Sequence, residues 1–405
     1  MYVSRLDRPW LETPFPLEGV LIQSKEDIEL LRRYSNFVYV DVEQGPSPSY
    51  KYWVTDDKES LSLKGAEPPP IQAFNTNKES EYEKLKKTFY EITTSFAEEL
   101  DSARKIQQNV EKNIKKVLLD LQRGKALDIE HLKEGVEATV TSIIRNPSAL
   151  SLLVQIQKTD DYMYNHSLGT SVWCAQFGRH LGLERSELSD LALGGLLLDI
   201  GKIKLPKELI HKTTAYTPND CKLMKTHVKH SVKIIADTRS VSRLILRMVA
   251  EHHERFNGSG YPKALDNDAI SIYGRIAGIV DSYDAMTSKK PHRDSLFTPH
   301  EAINELYHAR GTVFQTELVE QFIQTVGLYP TGSLVEFETG EVGVVLEVND
   351  LKRLFPTVML VLDEDKKPRD EFVTVNLSHL EHSHLKVLKG LPANAYGIKM
   401  DQLFI

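Results

Sequence analysis

The sequence predicts a mainly α protein: a helical body, with a small α/β module ahead of it and a short β segment behind. Three observations carry this expectation. From 128 to 328 apolar residues recur at helical spacing almost throughout. Residues 1–75 hold two β-type runs around one short helical pattern, and residues 332–385 alternate and are rich in valine.

The elements follow in chain order. In the module 1–75, "PLEGVLI" (16–22) and "FVYVDV" (37–42) are strand-like. Between them "SKEDIELLRRY" opens with Ser24 as N-cap and Asp27 three residues later, a capping box. "QGPSPSYKY" and "GAEPPPIQ" read as turn or linker. From 77 to 123 there is neither Gly nor Pro, so 76–127 is read as one long linking helix or a helical hairpin. Its charged face is solvated or, alternatively, makes a homodimer contact. The helical body, 128–330, breaks at "RNPSA", "GLERSE", "GKIKLP", "AYTPND", "FNGSGYP" and "KKPHR". The extension 331–405 contains "GSLVEFETGEVGVVLEV", with "TGE" as a hairpin turn, and "PTVMLVLDE". It is read as a structural cap.

Composition narrows the function classes. With 41% hydrophobic and 26% charged residues, the 405-residue chain is expected to be soluble and globular. A net charge of -7 argues against a polymeric nucleic-acid partner, whose binding surface would be basic. The longest apolar run, "LALGGLLL" (191–198), falls far short of the roughly 20 residues that span a bilayer. "MYVSRLDRPW" lacks the apolar core of a secretory signal. Two cysteines, Cys174 and Cys221, make no disulfide framework, and a cytoplasmic location is the expectation.

The stretch "LLLDIGKIKLP" (196–206) places Asp199 straight after three leucines. A carboxylate there is costly to bury unless something pairs with it. Other metal-competent residues lie at wide intervals: His166, His227, His252, His253 and Asp281. A lone helical histidine is more often structural than a ligand. The pair His252-His253 resists that reading, because it sits in "VAEHHERFNGSGYP", where a helix ends in a glycine-rich loop closed by Pro262. Adjacent helical residues point about 100° apart, so both serve one site only if it straddles them, as two neighbouring ions would. His and Asp suit Fe, Mn or Zn.

"HHERFNGSGYP" resembles the signature of the HD-GYP family, with Gly260-Tyr261-Pro262 supplying the GYP. The family's other segments follow in order: "YNHS" (164–167), "LLLDIGKIKLP", "MKTHVKHS" (224–231) and "IAGIVDSYDAMTSKKPHR" (276–293). The resemblance covers roughly 145–330. The N-terminal module also resembles, less specifically, a poorly characterised domain found ahead of HD-GYP domains in bacterial proteins.

The resemblance implies an all-helical, metal-dependent phosphodiesterase of bacterial signalling that opens cyclic dinucleotides, above all cyclic di-GMP and in some members 3'3'-cyclic GMP-AMP. It implies two divalent ions, one held by His166, Asp199 and Asp281, the other by His227, His252 and His253, with Asp199 bridging. Such a pair activates water and clamps phosphoryl oxygens. Asp199 and Lys202 would be the catalytic residues, Lys202 neutralising charge at the scissile phosphate. Tyr261 would meet a base, and Lys290 and Arg293 would grip phosphate, against the plainer readings of loop packing and surface charge.

Two departures from the family pattern matter. Leu198 stands where the family has the histidine of its HD pair, so the first ion loses a donor. Three protein ligands with open positions still make a workable catalytic site. Tyr162 stands four residues before His166, where some members carry a glutamate for a third ion, which argues against a trinuclear site. Retention of the other residues favours an enzyme. Leu198 favours the alternative, a module that binds a cyclic dinucleotide or partner proteins as a sensor without cleaving it.

Overall fold

The computed structural model describes residues 1–7, 10, 13, 15, 19–41, 46, 88–156, 162–238, 241–288, 297–349, 355–382 and 384–404. The chain divides into two compact units, Met1–Lys84 and Leu85–Ile405.

The first unit is a three-stranded antiparallel sheet, β1 (Tyr2–Leu6), β2 (Val20–Leu21) and β3 (Val38–Asp41), in the order β2-β1-β3. Helix α1 (Lys25–Tyr34) joins β2 to β3. Its capping box forms: Asp27 donates its N–H to Ser24 Oγ at 3.1 Å, and the Asp27 carboxylate accepts from the Ser24 N–H at 2.8 Å. The central strand is β1, which the sequence pattern did not announce. The turn segments "QGPSPSYKY" (residue 46 apart) and "GAEPPPIQ" lie outside the described residues.

The second unit opens with α2 (Phe96–Gln122), a single helix capped by Ser95 and Glu98. It begins inside the stretch read as helical from 77; residues 88–95 are non-helical, and residues 77–87 lie outside the described residues. Ala103, Val110, Ile114, Val117 and Leu121 form its buried stripe. This packs on α3 (Glu130–Arg145) and α4 (Pro147–Ile156). Then come α5 (Tyr162–His180) and α6 (Arg185–Leu197). A 3-10 turn (Ile200–Lys204) leads to α7 (Lys207–Ile210), α8 (Pro218–Lys225), α9 (His227–Ala236) and α10 (Arg243–Glu251). The set closes with α11 (Ile272–Thr287), α12 (Pro299–Ala309) and α13 (Thr316–Val326). Among the described residues no helix is long and apolar enough to cross a membrane.

Helix α5 runs through the middle of this unit, buried along most of its length. An aromatic chain fixes its neighbours. Trp173 on α5 meets Tyr283 on α11 edge-on at 5.5 Å, Tyr283 meets Phe322 on α13 at 5.3 Å, and Phe322 meets Phe177 on α5 at 5.2 Å. All four rings are essentially fully buried. Such pairs contribute about 0.5–1.5 kcal/mol each beyond the area they bury. Tyr283 lies between Asp281 and Asp284, so the same packing sets the pitch at which α11 presents its carboxylates to α5.

The chain ends in a five-stranded antiparallel sheet, β4 (Leu334–Phe337), β5 (Val342–Glu347), β6 (Thr357–Leu362), β7 (Pro368–Asn376) and β8 (Val387–Leu391), ordered β7-β6-β5-β4-β8. The expected hairpin turn at "TGE" joins β4 to β5. Leu334, Val342, Val344 and Leu346 pack with Val361, Leu391 and Phe404 around Leu152 of α4, seating the sheet on the helices.

Phe322→Ala is expected to destabilise the second unit by about 3–5 kcal/mol, because it opens a cavity shared by three helices. A urea titration followed by tryptophan fluorescence measures it; a change under 1 kcal/mol would show that the aromatic chain does not hold α11.

Candidate metal centre

The centre lies where α5, the 3-10 turn after α6, α9, the end of α10 and α11 converge. Donor atoms from Asp199, His227, His252 and His253 all lie within 4.8 Å of one another, and so do those of His166, Asp199 and Asp281. Asp199 belongs to both groups.

Asp199 follows directly on the end of α6, which is tied to α5 where Thr170 Oγ1 donates to the Gly195 carbonyl at 2.8 Å. One carboxylate oxygen of Asp199 lies 3.2 Å from His166 Nε2 and also meets Lys202 Nζ; the other lies 3.0 Å from His227 Nε2. Burial alone would raise the pKa of Asp199, but the charges of Lys202 and His227 and the hydrogen bond from His166 hold it well below the ordinary value. The turn reaches α9 by close approach. A side chain at Gly201 would place its Cβ 2.2 Å from the His227 carbonyl oxygen and 2.3 Å from Ser231 N. Ser231 fastens the same junction, its Oγ accepting from the Gly201 N–H at 2.8 Å and donating to the Leu198 carbonyl at 2.9 Å.

His166 is enclosed by carboxylates. Its Nδ1 lies 2.6 Å from Asp284, and its Nε2 lies 3.0 Å from Asp281. Burial by itself pushes the imidazolium down, but Asp199, Asp281 and Asp284 outweigh it and the His166 pKa is raised well above its ordinary value. Asp284 reaches α5 over Gly169, where a Cβ would fall 2.1 Å from the carboxylate oxygen. Asp281 is likewise held ionised: burial opposes it, and the hydrogen bond and charge of His166 overcome burial. The ring of Tyr162 lies flat on His166, 5.4 Å between centroids and 9° between planes.

The adjacent histidines need no straddled site. Helix α10 ends at Glu251, with His252 as its C-cap and His253 just beyond, ring centroids 4.0 Å apart. Both therefore face one donor group. His252 Nδ1 donates to the Val249 carbonyl at 2.8 Å and His227 Nδ1 to the Met224 carbonyl at 2.7 Å, leaving each Nε2 as the free donor atom. Burial pushes the His252 pKa down to about 4 and lowers that of His253 as well, so both rings are neutral at pH 7.

The loop after them is built by its own side chains. The Glu254 carboxylate accepts from the N–H groups of Lys263 at 2.7 Å and Leu265 at 3.0 Å. Arg255 donates to the carbonyls of His252 at 2.9 Å and Glu254 at 2.8 Å, with its guanidinium over Phe314. Tyr261 is thereby set against His253, ring centroids 4.6 Å apart.

A cation fits this centre. Among the described residues, His252 Nε2 is a buried polar atom without a hydrogen bond, and Asp199 Oδ1 and His227 Nε2, 3.0 Å apart, have no other partner; all three belong to the same group. Leaving such atoms unmatched costs about 1–3 kcal/mol each. Imidazole and carboxylate donors are those of Fe, Mn or Zn.

Of the residues singled out from sequence, His166, Asp199, Lys202, His227, His252, His253, Tyr261 and Asp281 lie together here. Lys290 and Arg293 lie outside the described residues. Leu198 is buried at the C-cap of α6 and supplies no side-chain donor. Sequence reading passed over Asp284, Ser231, Glu254 and Arg255. Asp284 had a signal: it follows Asp281 by three residues on one helix, and such residues share a face.

Comparison with known proteins adds the following. The HD domain family model matches residues 149–318, and the model described as a domain of unknown function (DUF3391) matches residues 1–132. The chain is 28% identical over 369 residues to a cyclic di-GMP phosphodiesterase of Pseudomonas aeruginosa, covering 91% of this chain and 84% of that one. It is 31% identical over 160 residues to the 3'3'-cGAMP-specific phosphodiesterase 2 of Vibrio cholerae, covering 39% of this chain and 30% of the relative. A cyclic di-GMP phosphodiesterase of Thermotoga maritima is 28% identical over 177 residues, 43% of this chain and 47% of that one. Among solved structures, an HDG"Y"P protein of Bdellovibrio bacteriovorus aligns with a TM-score of 0.46 at 21% identity, over 54% of this chain and 70% of that chain.

Two outcomes are expected. The pKa of His166 is raised well above its ordinary value, so a metal that takes up its Nε2 must displace a proton. Apparent Mn²⁺ affinity should therefore rise with pH through the neutral range, and binding at pH 7 should release about one proton, read by calorimetry in buffers of different ionisation enthalpy. Flat affinity between pH 6 and 8 would contradict this. Asp284→Asn should weaken metal binding about 10–100-fold, because the ring loses the carboxylate that orients it; an affinity within twofold of the native protein would remove Asp284 from that role.

Proposed function

We propose that this chain, which carries an HD domain behind a DUF3391 domain, is a metal-dependent phosphodiesterase that hydrolyses a cyclic dinucleotide. Cyclic di-GMP is the first candidate and 3'3'-cyclic GMP-AMP the second, as in the relatives' names. The observation that carries the reading is the shared carboxylate: Asp199 belongs to two donor groups at once, an arrangement suited to two neighbouring ions.

His166, Asp199 and Asp281 would hold one ion, and Asp199, His227, His252 and His253 the other. Bound there, two divalent ions would supply an activated water near neutral pH and Lewis-acid support for the phosphoryl oxygens. The chain's own residues do the rest. Lys202, ion-paired with Asp199, keeps a positive charge beside the scissile phosphate and offsets the charge that builds on it in the transition state. Asp284 holds His166 in one tautomer, with Nε2 facing the group. Tyr261, braced by the Glu254 and Arg255 loop, would bracket a base with its ring edge. Lys290 and Arg293 would grip phosphate.

The second reading, a binding module without hydrolysis, is favoured by Leu198 alone, which leaves the first group with three protein donors. Incubating the metal-loaded protein with cyclic di-GMP and with cyclic GMP-AMP, and separating products by chromatography, decides between them. Linear dinucleotide from the native protein, lost in the His252→Ala/His253→Ala variant together with most bound metal, is the expected result. Tight binding with no product would favour the sensor. In that case Leu198→His, which adds a fourth donor, is expected to raise metal occupancy in the first site; unchanged occupancy in a folded variant would place Leu198 away from the ions.

A further inference from the structure

We propose that Lys225 is the cation of a second phosphate subsite in this centre, gripping the phosphodiester of the cyclic dinucleotide that is not being cleaved; the inference rests on the phosphodiesterase reading. Two ladders of side chains rise from the donor groups. From His166 the stack runs to Tyr162, with Lys202 Nζ 5.6 Å from the Tyr162 ring centroid. From His253 it runs to Tyr261, with Lys225 Nζ 4.7 Å from that ring centroid. The ladders end differently. Lys202 is paired with Asp199, whereas Lys225 is exposed and, among the described residues, makes no ion pair with a carboxylate.

The surroundings of Lys225 are built for an anion. Helices α8 and α9 meet at Thr226, which caps both. From 221 to 236 the sequence holds no Asp or Glu, while Lys222, Lys225 and Lys229 recur at helical spacing and are all exposed. In a chain of net charge -7 this is a local basic face, and it borders the Tyr261 end of the centre. Such a face raises the local concentration of an anionic ligand. A cyclic dinucleotide carries two phosphodiesters in one ring. With one of them at the ions beside Lys202 and the proposed Lys290 and Arg293 grip, the other needs a cation without a carboxylate of its own, and Lys225 supplies it from across Tyr261. A lysine serves phosphate as a point charge.

The test compares kcat/KM on cyclic di-GMP with that on bis(p-nitrophenyl) phosphate, which has a single phosphodiester. The native protein, Lys225→Ala and Lys233→Ala are measured, Lys233 being an exposed lysine further along α9. Lys225→Ala should lose about ten- to hundredfold on cyclic di-GMP, the strength of a charge-assisted contact. Its loss on the single phosphodiester should be at least tenfold smaller, and Lys233→Ala should lose less on cyclic di-GMP than Lys225→Ala. Activity of Lys225→Ala on cyclic di-GMP within twofold of native, equal losses on the two substrates, or equal losses in the two variants would overturn the proposal. If the native protein cleaves neither substrate, the phosphodiesterase reading fails on its own account. The subsite is then read from calorimetric binding of cyclic di-GMP: at least tenfold weaker binding by Lys225→Ala supports it, and a smaller change or no native binding overturns it.

Discussion

The carboxylate of Asp199 is buried at the end of an apolar helix, and its need for compensating charge organises everything near it. Isolated in such a place it would protonate; instead it is held ionised by Lys202, His227 and His166. Each partner comes from a different part of the chain. His166 requires α5 to cross α6 closely, His227 requires the Gly201 turn to lie against α9, and Lys202 requires the chain to coil tightly straight after Asp199. The charge balance and the packing are one problem.

The same logic extends to α11. Asp281 and Asp284 bring two more negative charges to His166, and the ring becomes the positive centre of three carboxylates. The three carboxylates hold the pKa of the ring well above its ordinary value. The aromatic chain from Trp173 to Phe322 keeps α11 at the distance where this works. The His252-His253 side is the reverse: neutral rings, no carboxylate but Asp199 and Asp281 nearby, and donor atoms left unmatched. One half of the centre is rich in carboxylates and the other in neutral ring nitrogens.

This asymmetry bears on Leu198. On the proposed two-ion reading, a histidine there would add a neutral donor to the crowded acidic half, whereas leucine leaves that half with His166, Asp199 and Asp281. A three-donor set with two carboxylates is strongly charged and suits a hard divalent ion. On that reading, leucine would change how firmly the first ion is held more than whether the donors can hold one.

Much of this was legible in the sequence. Helical spacing over 128–328 and valine-rich alternation beyond 332 set the mainly α architecture with its β extension, because burial periodicity is a local property of the chain. The short module's capping box was readable for the same reason, and the wide-set His and Asp motifs marked the centre by residue type and order. The central strand β1 was not legible: five residues with mixed polarity become a strand only because β2 and β3 pair on either side of them. Asp284, Ser231, Glu254 and Arg255 were passed over because each acts on a neighbour that lies close only after folding, or on backbone atoms that carry no sequence signature. The convergence of His252 and His253 on one donor group was decided by where α10 stops, since a helix continued by one more turn would have splayed them apart. Sequence by itself determined which groups are chemically able to meet. The tertiary structure alone decided which nitrogen faces the centre, which carboxylate is shared and which lysine meets Asp199, because those depend on distances of a few ångströms between side chains.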